Sequence, residues 1–207
     1  SGQCIRENER WDLFLSKLPD NVILVIDQRY IEFVDDIKEL DSTMGPILDP
    51  LNVLKKHKNT IILRSFNNFY SVENLELCYL ITNKSISELI KNTQLINPID
   101  KFVENMALTV IDDKYYNTTK DKISHERALY FKKLDKYKVP YYTSDANFFL
   151  VETHSNKSVI MNDLENSNII LYNSHDSYNN YWTLPISTPE TNKKVLEVIM
   201  YDNMDNS

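Results

Sequence analysis

Short runs of consecutive apolar residues constrain the fold of this chain more than any other feature of its sequence. Val22 to Ile26 is an unbroken apolar, mostly β-branched run that ends at Asp27. Thr60 to Leu63 is a second run of this kind, and Leu75 to Ile81 follows as a third apolar segment. Such runs predict strands that are buried on both faces of a parallel sheet, because helices cover both faces of these sheets. We therefore expect an α/β fold.

Helical periodicity and turn residues place the remaining elements around these strands. The predicted elements are a helix over Glu7 to Leu18, a loop over Asp35 to Pro50, a helix from the capping box Ser85 to Glu88 through Gln94, helices over Ile99 to Ile111 and Asn117 to Tyr137, strands over Asn147 to Glu152, Ile169 to Tyr172 and Trp182 to Ser187, a short helix over Val159 to Asn166, and a final helix capped by Thr188 and Pro189. In the long helix, His125, Glu126 and Arg127 are expected on the exposed side. We place a lobe boundary between residues 96 and 97.

Composition excludes several classes of function. Only 2 of the 207 residues are glycine, so the chain cannot build the glycine-rich phosphate loops of P-loop or Rossmann proteins. A net charge of -7 argues against nucleic acid as a partner. No apolar run is long enough for a membrane helix, and two distant cysteines favour a reduced, cytoplasmic setting. The four histidines have no metal-site spacing, and no metal is expected.

Four segments, in order along the chain, match motifs of a known family. Val22 to Phe33, V-I-L-V-I-D-Q-R-Y-I-E-F, matches an apolar strand running into D-E-A-Y-x-E-F. Leu63 to Tyr79, L-R-S-F-N-N-F-Y-S-V-E-N-L-E-L-C-Y, matches L-R-T-F-S-K-x-[FY]-G-L-A-G-x-R-x-G-Y. Ser144 to Val151 matches S-x-A-N-F-x-L-V, and Tyr181 to Asn192 follows Y-L-R-I-T-I-G-T-x-E-E-N more weakly. The chain thus resembles the C-terminal part of histidinol-phosphate aminotransferases and the related amino-acid-phosphate decarboxylases, enzymes of PLP fold type I.

This resemblance implies a partial large-lobe sheet, mostly parallel, in residues 1–96, and a smaller α+β lobe in residues 97–207. Ser1 and Gly2 align with the end of the family's N-P-N-N-P-[ST]-G stretch, so the resemblance implies that the preceding part of the large lobe is absent.

The resemblance also assigns the residues of a cofactor site. Asn68 stands at the position of the lysine that forms the Schiff base with PLP, and an amide cannot form that bond. Asn67 and Glu76 stand at the positions of a serine and an arginine that bind the cofactor phosphate. Only Asp27 and Tyr30 keep the family residues, as the partners of the pyridine nitrogen and of the ring hydroxyl. Other family positions are also changed: Ser71, Asn74 and Cys78 replace glycines, and Thr183 and Tyr172 align with the arginines that bind the substrate carboxylate.

Simpler structural roles stay open for the two retained residues. An aspartate at a strand end often caps the following turn, so Asp27 need not contact a cofactor. Tyr30 has the alternative role of a packed aromatic side chain. Asn147 is expected to order the start of its strand.

The changed positions indicate a catalytically degenerate aminotransferase-like domain with no cofactor, which acts as a binding, regulatory or assembly module. Its expected partner is a second copy of the chain or another protein or domain. The alternative is a PLP-dependent aminotransferase or amino-acid-phosphate decarboxylase that is active with a partner or with a missing N-terminal half. A binding module for a small anion is a third possibility, against which the negative charge of Glu76 argues.

Overall fold

The computed structural model describes residues 3–6, 9–35, 46–93, 99–153, 157–171 and 181–205. The chain divides into two compact units. The first unit is Cys4–Thr118, and the second is Thr119–Ser207 together with Ser1–Gln3. The lobe boundary between residues 96 and 97 stays a prediction. It refers to the lobes that the resemblance implies, whereas the two units are defined by the compactness of this chain.

The first unit contains the three predicted strands together with helices, one of which the sequence did not predict. Its elements are α1 (Glu9–Lys17), β1 (Leu24–Asp27), α2 (Pro50–Lys56), β2 (Thr60–Ser65), β3 (Cys78–Thr82), α3 (Lys84–Thr93), α4 (Lys101–Val110) and the first turns of α5 (Asp113–Lys136). Helix α2 was not predicted from the sequence. It begins where the predicted loop ends, because the Asp49 carboxylate accepts a hydrogen bond from the Leu51 N–H (2.9 Å) and Pro50 occupies the first turn.

The three strands of the first unit form one sheet in the order β1-β2-β3. β1 and β2 are parallel neighbours, with Leu24 beside Thr60 and Asp27 beside Leu63, which confirms that the first two apolar runs share a sheet. β3 is antiparallel to β2. The prediction of a mostly parallel sheet is therefore wrong for the described strands. The connection between β2 and β3 contains turns and a 3-10 helix (Glu73–Leu75) but no α-helix, the element that usually carries the chain back across a sheet to a parallel neighbour.

Only one face of this sheet is well covered. Ile26 and Ile62 lie on the covered face and pack with Leu15, Leu48 and Val53. Val25, on the opposite face, is 56% exposed. The expectation that β1 is buried on both faces is thus wrong within the described residues, since no described element covers the second face of β1.

The helix ends show which polar residues act as caps. For α3 the predicted capping box is wrong. Asn83, one residue before the helix, accepts a hydrogen bond from the Ile86 N–H through Oδ1 (2.9 Å), so that Ser85 already lies inside the helix. For the C-terminal helix the predicted cap is confirmed, because Thr188 Oγ1 accepts from the Thr191 N–H (3.3 Å).

The second unit consists of an antiparallel sheet and helices. Its elements are the rest of α5, β4 (Tyr141–Tyr142), β5 (Phe148–Glu152), α6 (Lys157–Asn166), β6 (Tyr181–Pro185) and α7 (Pro189–Asp205). The sheet order is β4-β5-β6, and Trp182 and Phe149 are fully buried in the core. Helices α5, α6 and α7 contribute Tyr130, Ile160 and Ile199 to the same core.

Two further expectations for the second unit are wrong. Residues 169 to 171 form no strand, because Ile169 packs into the core as part of a loop while Ile170 is 81% exposed; Tyr172 lies outside the described residues. Arg127 does not face solvent. It is 6% exposed, and Nη1 donates to the carbonyls of Asp145 (2.7 Å) and Ala146 (3.0 Å), which brings the turn before β5 against α5.

A candidate cofactor site with a changed lysine position

The predicted site residues of the first unit gather at one edge of its sheet. Asp27 is the last residue of β1, and Asn67 and Asn68 follow the end of β2 at Ser65 by two and three residues. Because β1 and β2 are parallel, their carboxyl ends meet at the same edge, where ligands bind in open α/β sheets. The strand order thus brings the aspartate and the lysine position to one edge.

Asp27 is held by a residue two positions further along the chain. Its Oδ1 accepts from the backbone N–H and from Nε of Arg29 (3.0 Å each), and its Oδ2 accepts from Nε (3.1 Å) and Nη2 (2.7 Å). The hydrogen bond from the Arg29 side chain is the main reason that the pKa of Asp27 lies below its usual value. Asp27 therefore caps the turn after its strand, which is the structural alternative considered above.

Tyr30 lies directly after this turn. It is half-buried, and its ring packs near that of Phe33, with 6.2 Å between the ring centroids. Tyr30 precedes a short 3-10 helix, Ile31–Phe33. The packing role suggested for Tyr30 is therefore present in the fold.

Asn67 ties together the two ends of the loop between β2 and β3. Its backbone N–H donates to Ser65 Oγ (3.0 Å), and its side-chain Oδ1 accepts from the Leu77 N–H (2.8 Å). Its Nδ2 donates to Cys78 Sγ (3.8 Å). The residue at the phosphate-binding serine position is thus engaged in closing the loop.

The same loop contains two residues in the left-handed backbone region. Ser71 has φ 55° and Glu76 has φ 48°. Ser71 aligns with a glycine of the family motif, and glycine adopts this conformation without the steric cost that a Cβ brings. The fold therefore keeps a turn for which its residue is poorly suited. Glu76, at the arginine position, is exposed. Asn74 and Cys78, which like Ser71 stand at glycine positions, are exposed as well.

Asn68 lies in this loop beside a buried aromatic cluster. It is half-buried, and its neighbour Phe69 is 1% exposed. The rings of Phe33 and Tyr116 lie 5.0 Å from that of Phe69. The loop around the lysine position is therefore anchored by its apolar neighbour.

A buried polar network behind the site was not predicted from the sequence. Arg64 Nε donates to Gln28 Oε1 (2.9 Å), and Arg64 Nη1 lies 3.6 Å from Glu32 Oε1. Gln28 Nε2 in turn donates to the carbonyl of Leu48 (3.2 Å). Burial raises the pKa of Glu32, against the opposing effect of Arg64. The sequence did contain an indication of this network, because Glu32 and Arg64 are identical to the glutamate and the arginine at the same positions of the first and second family motifs.

The predicted site residues that follow residue 118 belong to the second unit. Thr183 lies on β6, paired with Leu150, and Tyr172 is outside the described residues. The Asn147 carbonyl accepts from the Ile186 N–H (2.7 Å), a backbone bond that any residue could make. Within the described part of the chain its side-chain Oδ1 has no hydrogen-bond partner, so the role of Asn147 at the start of its strand stays a prediction. Among the described residues, no group of three or more potential ligands could hold a metal ion, and no helix is long and apolar enough to cross a membrane.

Comparison with protein families decides the identity of the fold. Residues 7–197 match the family model of aminotransferase class I and II. The chain belongs to this family. A curated relative, histidinol-phosphate aminotransferase 2 of Legionella pneumophila subsp. pneumophila, is 26% identical over 195 residues, which are 93% of this chain and 51% of the relative. The chain spans about half the length of the curated relatives that it matches.

Solved structures support the same fold. The histidinol-phosphate aminotransferase from Clostridium acetobutylicum superposes with a TM-score of 0.78 at 21% identity, over 96% of this chain and 60% of that chain. The histidinol-phosphate aminotransferase from Sinorhizobium meliloti, solved in complex with pyridoxal-5'-phosphate, has a TM-score of 0.74 at 16% identity, over 96% and 53% of the two chains. These likenesses show the fold, and together with the family model and the curated relatives they confirm the resemblance to histidinol-phosphate aminotransferases.

The S. meliloti complex also corrects the expectation that no cofactor belongs with this chain: PLP is the cofactor of the family. The residues of the described site fit this group only in part. The ionised Asp27 carboxylate suits a protonated ring nitrogen, although Arg29 already occupies it. Asn68 has no amine for a covalent bond to the cofactor. The residue predicted at the lysine position therefore does not fit covalent attachment of PLP.

Proposed function

We propose that this chain is an aminotransferase-fold domain that does not catalyse transamination itself and that acts as a binding or assembly module. The observation that carries the proposal is Asn68 at the lysine position, in a loop whose ends Asn67 holds together. A transaminase needs a lysine amine both to bind PLP covalently and to move the proton. An asparagine amide does neither, because its nitrogen is neither basic nor nucleophilic.

A lysine substitution tests this assignment directly. We expect Asn68→Lys to form a PLP adduct that borohydride reduces and that peptide mass mapping locates at residue 68, whereas Asn68→Gln should form none there. Wild-type protein should give no adduct at residue 68 and no turnover of histidinol phosphate above that of Asn68→Ala. Turnover that Asn68→Ala abolishes would contradict the proposed loss of catalysis. Absence of the adduct in folded Asn68→Lys would contradict the position assigned to the lysine.

A binding role is supported by the uncovered side of the first unit. β1 pairs only with β2 among the described strands, so its other edge carries free backbone hydrogen-bonding groups. Ile23 and Val25 are each 56% exposed along this segment. Each 100 Å² of apolar surface left in water forfeits about 2.5 kcal/mol of stabilisation. A partner that covers this strand would therefore gain substantial free energy.

The proposed occupant is another polypeptide segment of the aminotransferase fold, in the same chain or in a partner, that adds a strand beside β1. Two observations support this choice: the chain spans about half the length of its relatives, and the free edge belongs to the strand that ends at Asp27. A second copy of the chain is the competing occupant.

In the absence of such a segment, the isolated chain should bind an apolar dye such as anilinonaphthalene sulfonate at the β1 face. We expect Val25→Lys to lower dye binding clearly more than Leu108→Lys, a matched change at a residue of α4 that is 66% exposed. Sedimentation at increasing concentration shows whether copies of the chain cover the face instead. A folded monomer that binds no dye would contradict the need for any partner.

A further inference from the structure

Both oxygens of the Asp27 carboxylate are engaged by one neighbouring residue. Three N–H groups of Arg29 donate to it at 2.7 to 3.1 Å: the backbone N–H donates to Oδ1, Nη2 donates to Oδ2, and Nε–H is shared between the two oxygens. A carboxylate offers about four lone-pair positions in all. The three donors fill most of these positions, so a ring N–H that approaches Asp27 must compete with the guanidinium for the carboxylate.

Arg29 is a departure from the family motif. In D-E-A-Y-x-E-F, the position of Arg29 is an alanine, whose methyl group can neither donate a hydrogen bond to the carboxylate nor form an ion pair with it. The turn between β1 and Tyr30 places residues 27 and 29 side by side, with the Gln28 N–H bound to the carbonyl of Leu63 (2.9 Å). This turn thus allows the arginine side chain to reach Asp27, whereas the alanine of the motif would leave the carboxylate without this partner.

The pair is also open to exchange. The side chains of Arg29 and Asp27 are 49% and 48% exposed, so water can solvate the guanidinium once it leaves the carboxylate. Exposed pairs of this kind are weak in comparison with buried ones. Arg29 is therefore suited to weakening the contact of another cation with Asp27. A buried ion-pair partner of Asp27 would prevent that contact altogether.

We propose that Arg29 sets the affinity of this chain for the pyridine ring of the cofactor, by occupying the Asp27 carboxylate as an internal counterion. The inference goes beyond the proposed function, and it rests on the role at the ring nitrogen that the resemblance implies for Asp27. Replacing Arg29 by the alanine of the motif frees Asp27, which stays ionised at neutral pH. Affinity should then rise about two- to fivefold, the range that an exposed ion pair accounts for.

The test uses pyridoxine 5'-phosphate, which keeps the ring nitrogen and the phosphate but has no aldehyde and so cannot react with lysines. Calorimetric titration of the folded full chain should show two- to fivefold tighter binding to Arg29→Ala than to wild type, and a smaller gain for Arg29→Lys. The matched control is Lys56→Ala, which removes the cation of another exposed ion pair, with Asp12 (2.6 Å). Since the ligand is an anion, general loss of positive charge should weaken its binding, so the gain at Arg29 opposes that trend.

A second ligand identifies the contact. An analogue with carbon in place of the ring nitrogen should bind Arg29→Ala no more tightly than wild type. Equal affinity of the two proteins for pyridoxine 5'-phosphate, no binding to either, or an equal gain with the carbon analogue would each overturn the proposal. These affinities do not depend on turnover. A failure of this inference can therefore be distinguished from a failure of the proposed function, which the Asn68 variants test.

Discussion

Replacing Phe69 with alanine should lower the free energy of unfolding of the first unit by about 3–5 kcal/mol, the range for a fully buried aromatic residue. Phe69 is 1% exposed, and it contacts aromatic rings from three directions: Phe33 and Tyr116 at 5.0 Å and Tyr70 at 5.2 Å. Removing its ring leaves a cavity that these neighbours cannot fill without leaving their own positions. The loop that holds Asn68 should loosen as a result.

Urea unfolding followed by the fluorescence of Trp11 measures this effect in the first unit, with Trp182 replaced by phenylalanine in every protein compared. The matched control is Phe102→Ala, because Phe102 is 66% exposed and its loss should change the stability by less than about 0.5 kcal/mol. Similar losses for the two variants would show that Phe69 is not the anchor of the loop.

Replacing Arg127 with leucine should destabilise the second unit by about 2–4 kcal/mol, because hydrogen bonds from a charged donor to buried acceptors are among the stronger ones. The variant leaves the carbonyls of Asp145 and Ala146 without the Nη1 donor that lies 2.7 and 3.0 Å from them. Arg127→Lys keeps the charge but not the forked geometry, so it should lose a smaller part of this free energy.

The fluorescence of Trp182 reports this unit when Trp11 is replaced by phenylalanine. Lys132→Leu serves as the control, since Lys132 is an exposed cation on the same helix. If Arg127→Leu unfolds at the same urea concentration as Lys132→Leu, the contact between α5 and the turn before β5 contributes nothing to stability.

The positions of the main strands could be predicted from the sequence, but their directions and coverage could not. β1 and β2 lie close to the predicted runs, since consecutive β-branched residues favour extended backbone wherever they are buried. The direction of β3 depends on how the chain returns from β2, and the exposure of Val25 depends on which elements lie opposite. Both are properties of the assembled sheet that no local pattern encodes.

The candidate site divides in the same way. The identity of residue 68 is determined by the sequence alone, and the motif alignment adds the prediction that no amine stands at the lysine position. The partner of Asp27 was decided by the turn that brings Arg29 beside it. The burial of Arg127 was decided by the turn at Asp145 and Ala146, eighteen and nineteen residues further along the chain. The sequence determines which chemical groups are present, whereas only the tertiary structure decides which of them meet, because the hydrogen bonds and ion pairs of a side chain depend on where the folded backbone places its neighbours.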